Sequence, residues 1–133
     1  MNRHIFIVLP AADPSKSMAF FKALGFDHNP QFTSDGASCI DISDTIQVMF
    51  LAHSKFTSFT PKSICDTKTS TEVLLTLSCS SREEVDELVA KALSAGGSTH
   101  GEAEDDGFAY QFGFSDPDGH QWGLCCMSAA PPQ

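Results

Sequence analysis

The sequence predicts an α+β fold, in which two βαβββ modules form curved mixed sheets that enclose a cavity. The same order of elements occurs twice, at residues 1–53 and 72–127, and each half contains one helix with a single apolar stripe. One helix covers one face of its sheet, so the other face is left to line a cavity. A linker with a short helix at 54–71 and a tail at 128–133 complete a single domain.

In the first module, the apolar run at residues 5–9 is typical of a buried strand. Asp13 can cap the helix that follows, Pro14 suits its first turn, and Gly25 is a natural stop. The remaining strands are predicted at 28–34, 37–43 and 45–52.

The second module begins with a predicted strand at 73–79. Ser81 and Glu84 have the spacing of a capping box, and Gly96 and Gly97 end the helix. Strands follow at 98–104, 107–115 and 120–127, with an Asp-Pro-Asp-Gly turn between the last two.

The composition argues against three classes of protein: nucleic-acid-binding, membrane-spanning and disulfide-rich proteins. The chain has 8 basic and 17 acidic residues, a net charge of −9, which argues against a nucleic-acid partner. No apolar run approaches the roughly 20 residues that span a bilayer. Five cysteines, an odd number without metal-type spacing, argue against a disulfide framework and favour a cytoplasmic location.

The helix pattern at 17–26, the Asp-Pro-Asp-Gly-His hairpin at 116–120 and the repeated element order resemble the vicinal oxygen chelate superfamily. This superfamily includes glyoxalase I, bleomycin-resistance proteins and extradiol dioxygenases, and the resemblance covers about residues 4–127. It implies the paired-module fold, a small-molecule ligand in the cavity and a homodimer.

The resemblance also implies four cavity-facing positions at which the metalloenzymes place His, Gln or Glu ligands. Here they fall at Phe6, at Gln47 or Met49, at Leu74 and at Gly123. Only Gln47 could coordinate a metal ion, whereas a catalytic divalent site needs about three protein ligands. We therefore expect no metal and no other cofactor at these positions, although a divalent metal elsewhere stays open.

A displaced metal site is one such alternative. His4, His53 and Glu72 would share the cavity side if strand alternation holds. The favoured interpretation is that both histidines are half-exposed residues at strand ends.

Polar anchors for a ligand are expected at Tyr110, Gln47 and Gln111, and Cys125 has the same strand parity as Gly123. Trp122 has the opposite parity and is predicted to pack beneath a helix. The predicted ligand-binding residues are Phe6, Gln47, Met49, Leu74, Tyr110, Gln111, Gly123 and Cys125.

The predicted function is the binding of a small organic ligand in the cavity, with the usual metal site lost and no catalytic residue identified. The alternative is a metal-dependent, glyoxalase-like lyase or dioxygenase with non-standard ligands. A plain interaction module is a third possibility for an acidic single domain.

Overall fold

A computed structural model describes residues 3–99 and 101–127, so the predicted tail at 128–133 lies outside the described residues. The chain divides into two compact units, Met1–Cys65 and Asp66–Gln133, called here the N-terminal and C-terminal units. Each unit carries one four-stranded mixed sheet, which confirms the predicted α+β fold with two modules.

The N-terminal unit contains a sheet in the order β1-β4-β3-β2. Strands β1 and β4 run parallel, whereas the other neighbouring pairs are antiparallel. Its elements are β1 (Ile5–Ala11), α1 (Pro14–Ala23), β2 (Asp27–His28), a 3-10 helix (Pro30–Phe32), β3 (Ala37–Ser43), β4 (Ile46–Ala52) and α2 (His53–Thr57).

Helix α1 begins as its sequence predicts. The side chain of Asp13 accepts a hydrogen bond from the Ser15 amide, and Pro14 occupies the first turn. The apolar stripe of α1 is buried on the sheet, where the ring of Phe21 stacks on that of Phe50 with 5.3 Å between centroids. This contact identifies the face of the sheet that α1 covers.

The strand predicted at 28–34 is wrong in its extent. Strand β2 has only two residues, Asp27–His28, and a 3-10 helix follows at Pro30–Phe32. Proline has no amide hydrogen with which to continue a strand ladder, and the side chain of Asn29 caps the new turn by accepting from the Gln31 amide at 3.1 Å.

The C-terminal unit repeats the arrangement with the sheet order β5-β8-β7-β6. Strands β5 and β8 are parallel, and β8-β7 and β7-β6 are antiparallel. Its elements are β5 (Leu74–Ser78), α3 (Arg82–Ser94), β6 (Glu104–Asp105), β7 (Ala109–Ser115) and β8 (Gln121–Met127).

The N-terminus of α3 forms a variant of the predicted capping box. The hydroxyl of Ser81 accepts from the Glu84 amide at 3.1 Å, as expected. The Glu84 carboxylate, however, accepts from the amide of Ser80 at 2.8 Å, one residue earlier than the motif requires. No helix in the described ranges has the length and apolarity needed to cross a membrane.

The strand predicted at 98–104 is likewise reduced. Residue 100 lies outside the described residues, and the described residues of this region form only an isolated bridge between Ser98 and Ser115 and the two-residue β6. Gly101 adopts φ +76°, a left-handed conformation that a continuous strand does not contain.

The hairpin between β7 and β8 is held by the carboxylate of Asp116. One oxygen accepts from the amides of Asp118 and His120, each at 3.0 Å, and the other accepts from Trp122 Nε1 at 3.1 Å. Burial raises the pKa of this carboxyl, although the charge of His120 and the N–H donors act in the opposite direction. The Trp122 side chain is buried and stacks on Phe114, which confirms its predicted place in the core.

Candidate ligand-binding grooves

Three of the predicted ligand-binding residues lie together on one face of the N-terminal sheet. In the parallel β1–β4 pair, Phe6 is the partner of Gln47 and Val8 is the partner of Met49. Successive side chains alternate between faces, and Phe50 packs on α1. Phe6, Val8, Gln47 and Met49 therefore project from the face opposite α1.

This face contains an apolar groove of about 550 Å³, a volume within the range of roughly 300–1,000 Å³ that is common for small-molecule sites. Several large side chains around it are exposed, including Phe59 at 76% and Val8 at 40%. We call it the N-terminal groove; its lining residues are Val8, Phe32, Ser34, Ala37, Met49, Leu51, Lys55, Phe56, Phe59 and Thr60.

Phe6 and Gln47 do not line the N-terminal groove, although they share its face. Phe6 packs edge-on against Phe32, a lining residue of the groove, with 5.3 Å between ring centroids. Met49 lines the groove directly.

Gln47 is buried and both ends of its amide are engaged. Its Nε2 donates to the Asp41 carboxylate at 3.3 Å and to the carbonyl oxygens of Ser43 and Asp44. These three acceptors fix the orientation of the amide, so Oε1 faces His4 Nδ1 at 3.2 Å. Because Oε1 can only accept a hydrogen bond, the imidazole of His4 carries its hydrogen on Nδ1 in this pair. These contacts give Gln47 a structural role.

The displaced metal site is not assembled by the two histidines. His4 immediately precedes β1, whereas His53 immediately follows β4, and these parallel strands pair in register from Ile5–Ile46 to Ala11–Ala52. The histidines therefore lie at opposite ends of the sheet, eight register positions or about 26 Å apart at ~3.3 Å per residue. Glu72 belongs to the C-terminal unit and is exposed.

Within the described residues, one group of potential metal ligands clusters closely: Asp116, Asp118 and His120. The Asp116 carboxylate is already committed to two backbone amides and to Trp122 Nε1. These hydrogen bonds stabilise the β7–β8 hairpin, so the geometry of the cluster indicates a structural role.

Four further predicted residues share a face of the C-terminal sheet: Leu74, Gln111, Gly123 and Cys125. Gln111 is opposite Cys125, and Gly113 is opposite Gly123, on the side away from α3. This face holds a second groove of about 370 Å³, the C-terminal groove. Its lining residues are Leu74, Thr76, Gly101, Glu102, Glu104, Gln111, Phe112, Gly113, Gln121, Trp122, Gly123 and Leu124.

Four polar residues of the C-terminal groove were missed by the sequence reasoning, namely Thr76, Glu102, Glu104 and Gln121. Gln121 has the same parity as Gly123 on β8, so strand alternation alone could have found it. Glu104 is the partner of Gln111 on the short strand β6, whose bounds the sequence pattern did not show. Together these side chains make the C-terminal groove more polar than the N-terminal groove.

Gly123, where the resemblance implies a ligating carboxylate, lies close to β5. A Cβ at this position would be 2.9 Å from Thr76 Oγ1. A Cβ on the facing Gly113 would be 2.5 Å from the carbonyl oxygen of Trp122. At these two glycines the floor of the C-terminal groove therefore consists of backbone atoms.

Tyr110, predicted as a polar anchor, lines neither of the two grooves. Gln111 and Tyr110 are neighbours on β7 and project to opposite faces, so both cannot line one groove. The Tyr110 hydroxyl donates to the Asp86 carboxylate on α3, and this hydrogen bond raises the pKa of the tyrosine. The guanidinium of Arg82 lies 4.4 Å from its ring centroid.

The cysteines near the two grooves, Cys125 and Cys39, do not line them. Cys125 is buried on the face of Gln111 but is not among the residues that line the C-terminal groove. Cys39 is the partner of Met49, and burial raises the pKa of its thiol to about 11, so the thiol stays protonated near neutral pH.

Comparison with known proteins places this geometry in context. The chain is 29% identical to the hypothetical protein SA1046 from S. aureus, whose structure matches with a TM-score of 0.81 over 95% of this chain and 94% of that one. A glyoxalase/bleomycin resistance protein/dioxygenase family enzyme from Burkholderia phytofirmans PsJN is 20% identical, with a TM-score of 0.77 over 92% and 97% of the two chains.

The fosfomycin resistance protein FosX from Mesorhizobium loti shares the fold at 9% identity, with a TM-score of 0.68 over 96% of this chain and 94% of that one. No curated protein sequence matches this chain. The sequence profile of one family matches residues 4–124, nearly the full length of both modules. The chain therefore belongs to the Glyoxalase/Bleomycin resistance protein/Dioxygenase superfamily.

Proposed function

We propose that this protein binds a small, mainly apolar organic ligand in the N-terminal groove, without a metal ion at the positions that the superfamily's metalloenzymes use. The observation that carries the proposal is the groove itself, in which Val8, Phe32 and Phe59 remain exposed beside Met49 and Leu51. A contiguous group of exposed large apolar side chains marks an interaction site.

The expected affinity is moderate. Burying about 200 Å² of apolar ligand surface contributes roughly 5 kcal/mol at ~25 cal/mol per Å². Association costs reduce this gain, so a purely apolar ligand is expected to bind in the millimolar to micromolar range. Polar anchors at the rim of the groove would raise the affinity.

The donor chemistry of the family's metal positions supports the proposal. Phe6, Leu74 and Gly123 offer no side-chain donor, and the thioether of Met49 is a poor ligand for hard dications. Both ends of the Gln47 amide are already bonded within the N-terminal unit. A lyase or dioxygenase that chelates its substrate on a metal ion would need ligands other than these.

The C-terminal groove suits an apolar ligand less well. Glu104, Gln111 and Gln121 line it, and desolvating such groups without matched partners costs free energy. The homodimer and the cytoplasmic location stay predictions from the resemblance and the composition.

The proposal predicts a groove-specific loss of binding to N-phenyl-1-naphthylamine, a neutral dye that fluoresces in apolar sites. Val8→Asn introduces a polar group into the N-terminal groove and is expected to weaken the dye at least fivefold. Leu74→Asn makes the same kind of change at an exposed residue of the C-terminal groove and serves as the matched control. Fluorescence titration measures both constants.

The titrations are repeated after treatment with EDTA and after addition of zinc, nickel, manganese or iron(II). The proposal expects unchanged dye affinity and no thermal stabilisation by any of these metals. Binding that requires a metal, or that is lost only in Leu74→Asn, would refute it.

A further inference from the structure

We infer that the ligand of the N-terminal groove is an organic anion, with an apolar ring system in the groove and a carboxylate or similar group at Lys55. This inference rests on the proposed function and extends it to a substrate class. Lys55 is the one charged residue among those that line the groove in the described part of the chain. A positive charge at this place is notable in a protein with 17 acidic and 8 basic residues.

The position of the ammonium group is defined by two neutral acceptors. Lys55 Nζ donates to the hydroxyl of Ser34 at 3.3 Å and to the backbone carbonyl of Asp35 at 3.4 Å. Lys55 takes part in neither of the ion pairs found among the described residues, which are Arg82–Asp105 and Lys91–Glu87. An ammonium group has three donors, so one remains for a ligand.

Ser34 supplies a second donor at the same rim. Its oxygen accepts from Lys55 Nζ, so its own hydroxyl hydrogen is directed elsewhere and can point to a bound oxygen. Ser34 also lines the groove, and its backbone pairs with Ala37 in an isolated bridge that fixes this turn. An anion at the rim would thus receive one charged and one neutral hydrogen bond.

The rest of the groove explains why the anion should carry a ring system. Phe32, Phe56 and Phe59 come from three different segments, the 3-10 helix, α2 and the chain beyond it, and all three line the groove. Aromatic side chains pack well against planar apolar groups. The N-terminal groove thus combines an apolar lining with one cationic group, the ammonium of Lys55.

Displacement of N-phenyl-1-naphthylamine by 2-naphthoate and by 2-naphthamide separates the charge from the ring, because the two competitors have nearly the same shape. We expect 2-naphthoate to bind the wild-type protein about three- to tenfold more tightly than 2-naphthamide, as for an exposed but hydrogen-bonded ion pair. Sodium chloride at high concentration should weaken the naphthoate selectively.

Lys55→Gln should abolish the preference for 2-naphthoate over 2-naphthamide, and Lys55→Arg should retain most of it, the preference being the ratio of the two affinities within each variant. Lys62→Gln removes the same charge outside the groove and should leave the preference intact. Equal displacement by the two competitors, or a preference that survives Lys55→Gln, would overturn the inference. Loss of dye binding by Val8→Asn in the same assay still reports on the proposed function separately.

Discussion

Replacing Asp116 with alanine is expected to destabilise the C-terminal unit by about 3–5 kcal/mol, because three N–H donors at the β7–β8 hairpin lose their acceptor. The amide of His120 and Nε1 of Trp122 lie in the buried interior, where an unpaired donor bears its full desolvation cost. Urea denaturation followed by the fluorescence of Trp122, the single tryptophan, measures this loss directly.

Asp106→Ala is the matched control for this prediction. Asp106 also accepts from two backbone amides, those of Phe108 and Ala109, and these bonds lower the pKa of its carboxyl. Asp106 is exposed, so water can replace the lost acceptor and the loss of stability should be much smaller. Similar losses of stability in the two variants would show that the burial of Asp116 does not determine how much its hydrogen bonds contribute to the free energy of unfolding.

Gly113→Ala should destabilise the protein by about 2–3 kcal/mol, whereas Gly123→Ala should cost less than about 1 kcal/mol. The methyl group on Gly113 would lie 2.5 Å from a backbone oxygen, and relieving that contact requires β7 and β8 to separate. The methyl group on Gly123 would meet the hydroxyl of Thr76, which can rotate away.

The two glycine variants are compared by thermal and urea denaturation. They change the same residue type on facing positions of one groove, so their difference isolates the contact with backbone from the contact with a side chain. A larger loss in Gly123→Ala than in Gly113→Ala would contradict the close approach of β7 and β8.

Strand alternation and helix signals predicted most of the fold. Asp13, Pro14 and Gly25 defined α1 to within two residues, because each acts on the backbone of its immediate neighbours. The lengths of the two short strands, β2 and β6, were overestimated. Pro30 and Gly101 interrupt the strand hydrogen bonding locally, and the apolar pattern around them did not show this.

The candidate site was predictable only in part. The resemblance pointed to Met49 and Leu74, and each of them lines one of the two grooves. Strand alternation could not show that the Gln47 amide would form hydrogen bonds with Asp41 and His4, since hydrogen bonds between strands depend on register. Lys55 was also missed, because its reach to Ser34 and Asp35 crosses about twenty residues of chain and depends on where α2 sits.

Mapping of bound 2-naphthoate by amide chemical shifts, on EDTA-treated protein, examines the proposed binding function. We predict saturable shifts centred on Val8, Met49, Leu51 and Phe56, the lining of the N-terminal groove, with no metal present. Shifts centred on Gln111 and the C-terminal groove, or shifts that occur only after a divalent metal is added, would contradict metal-independent binding in the N-terminal groove.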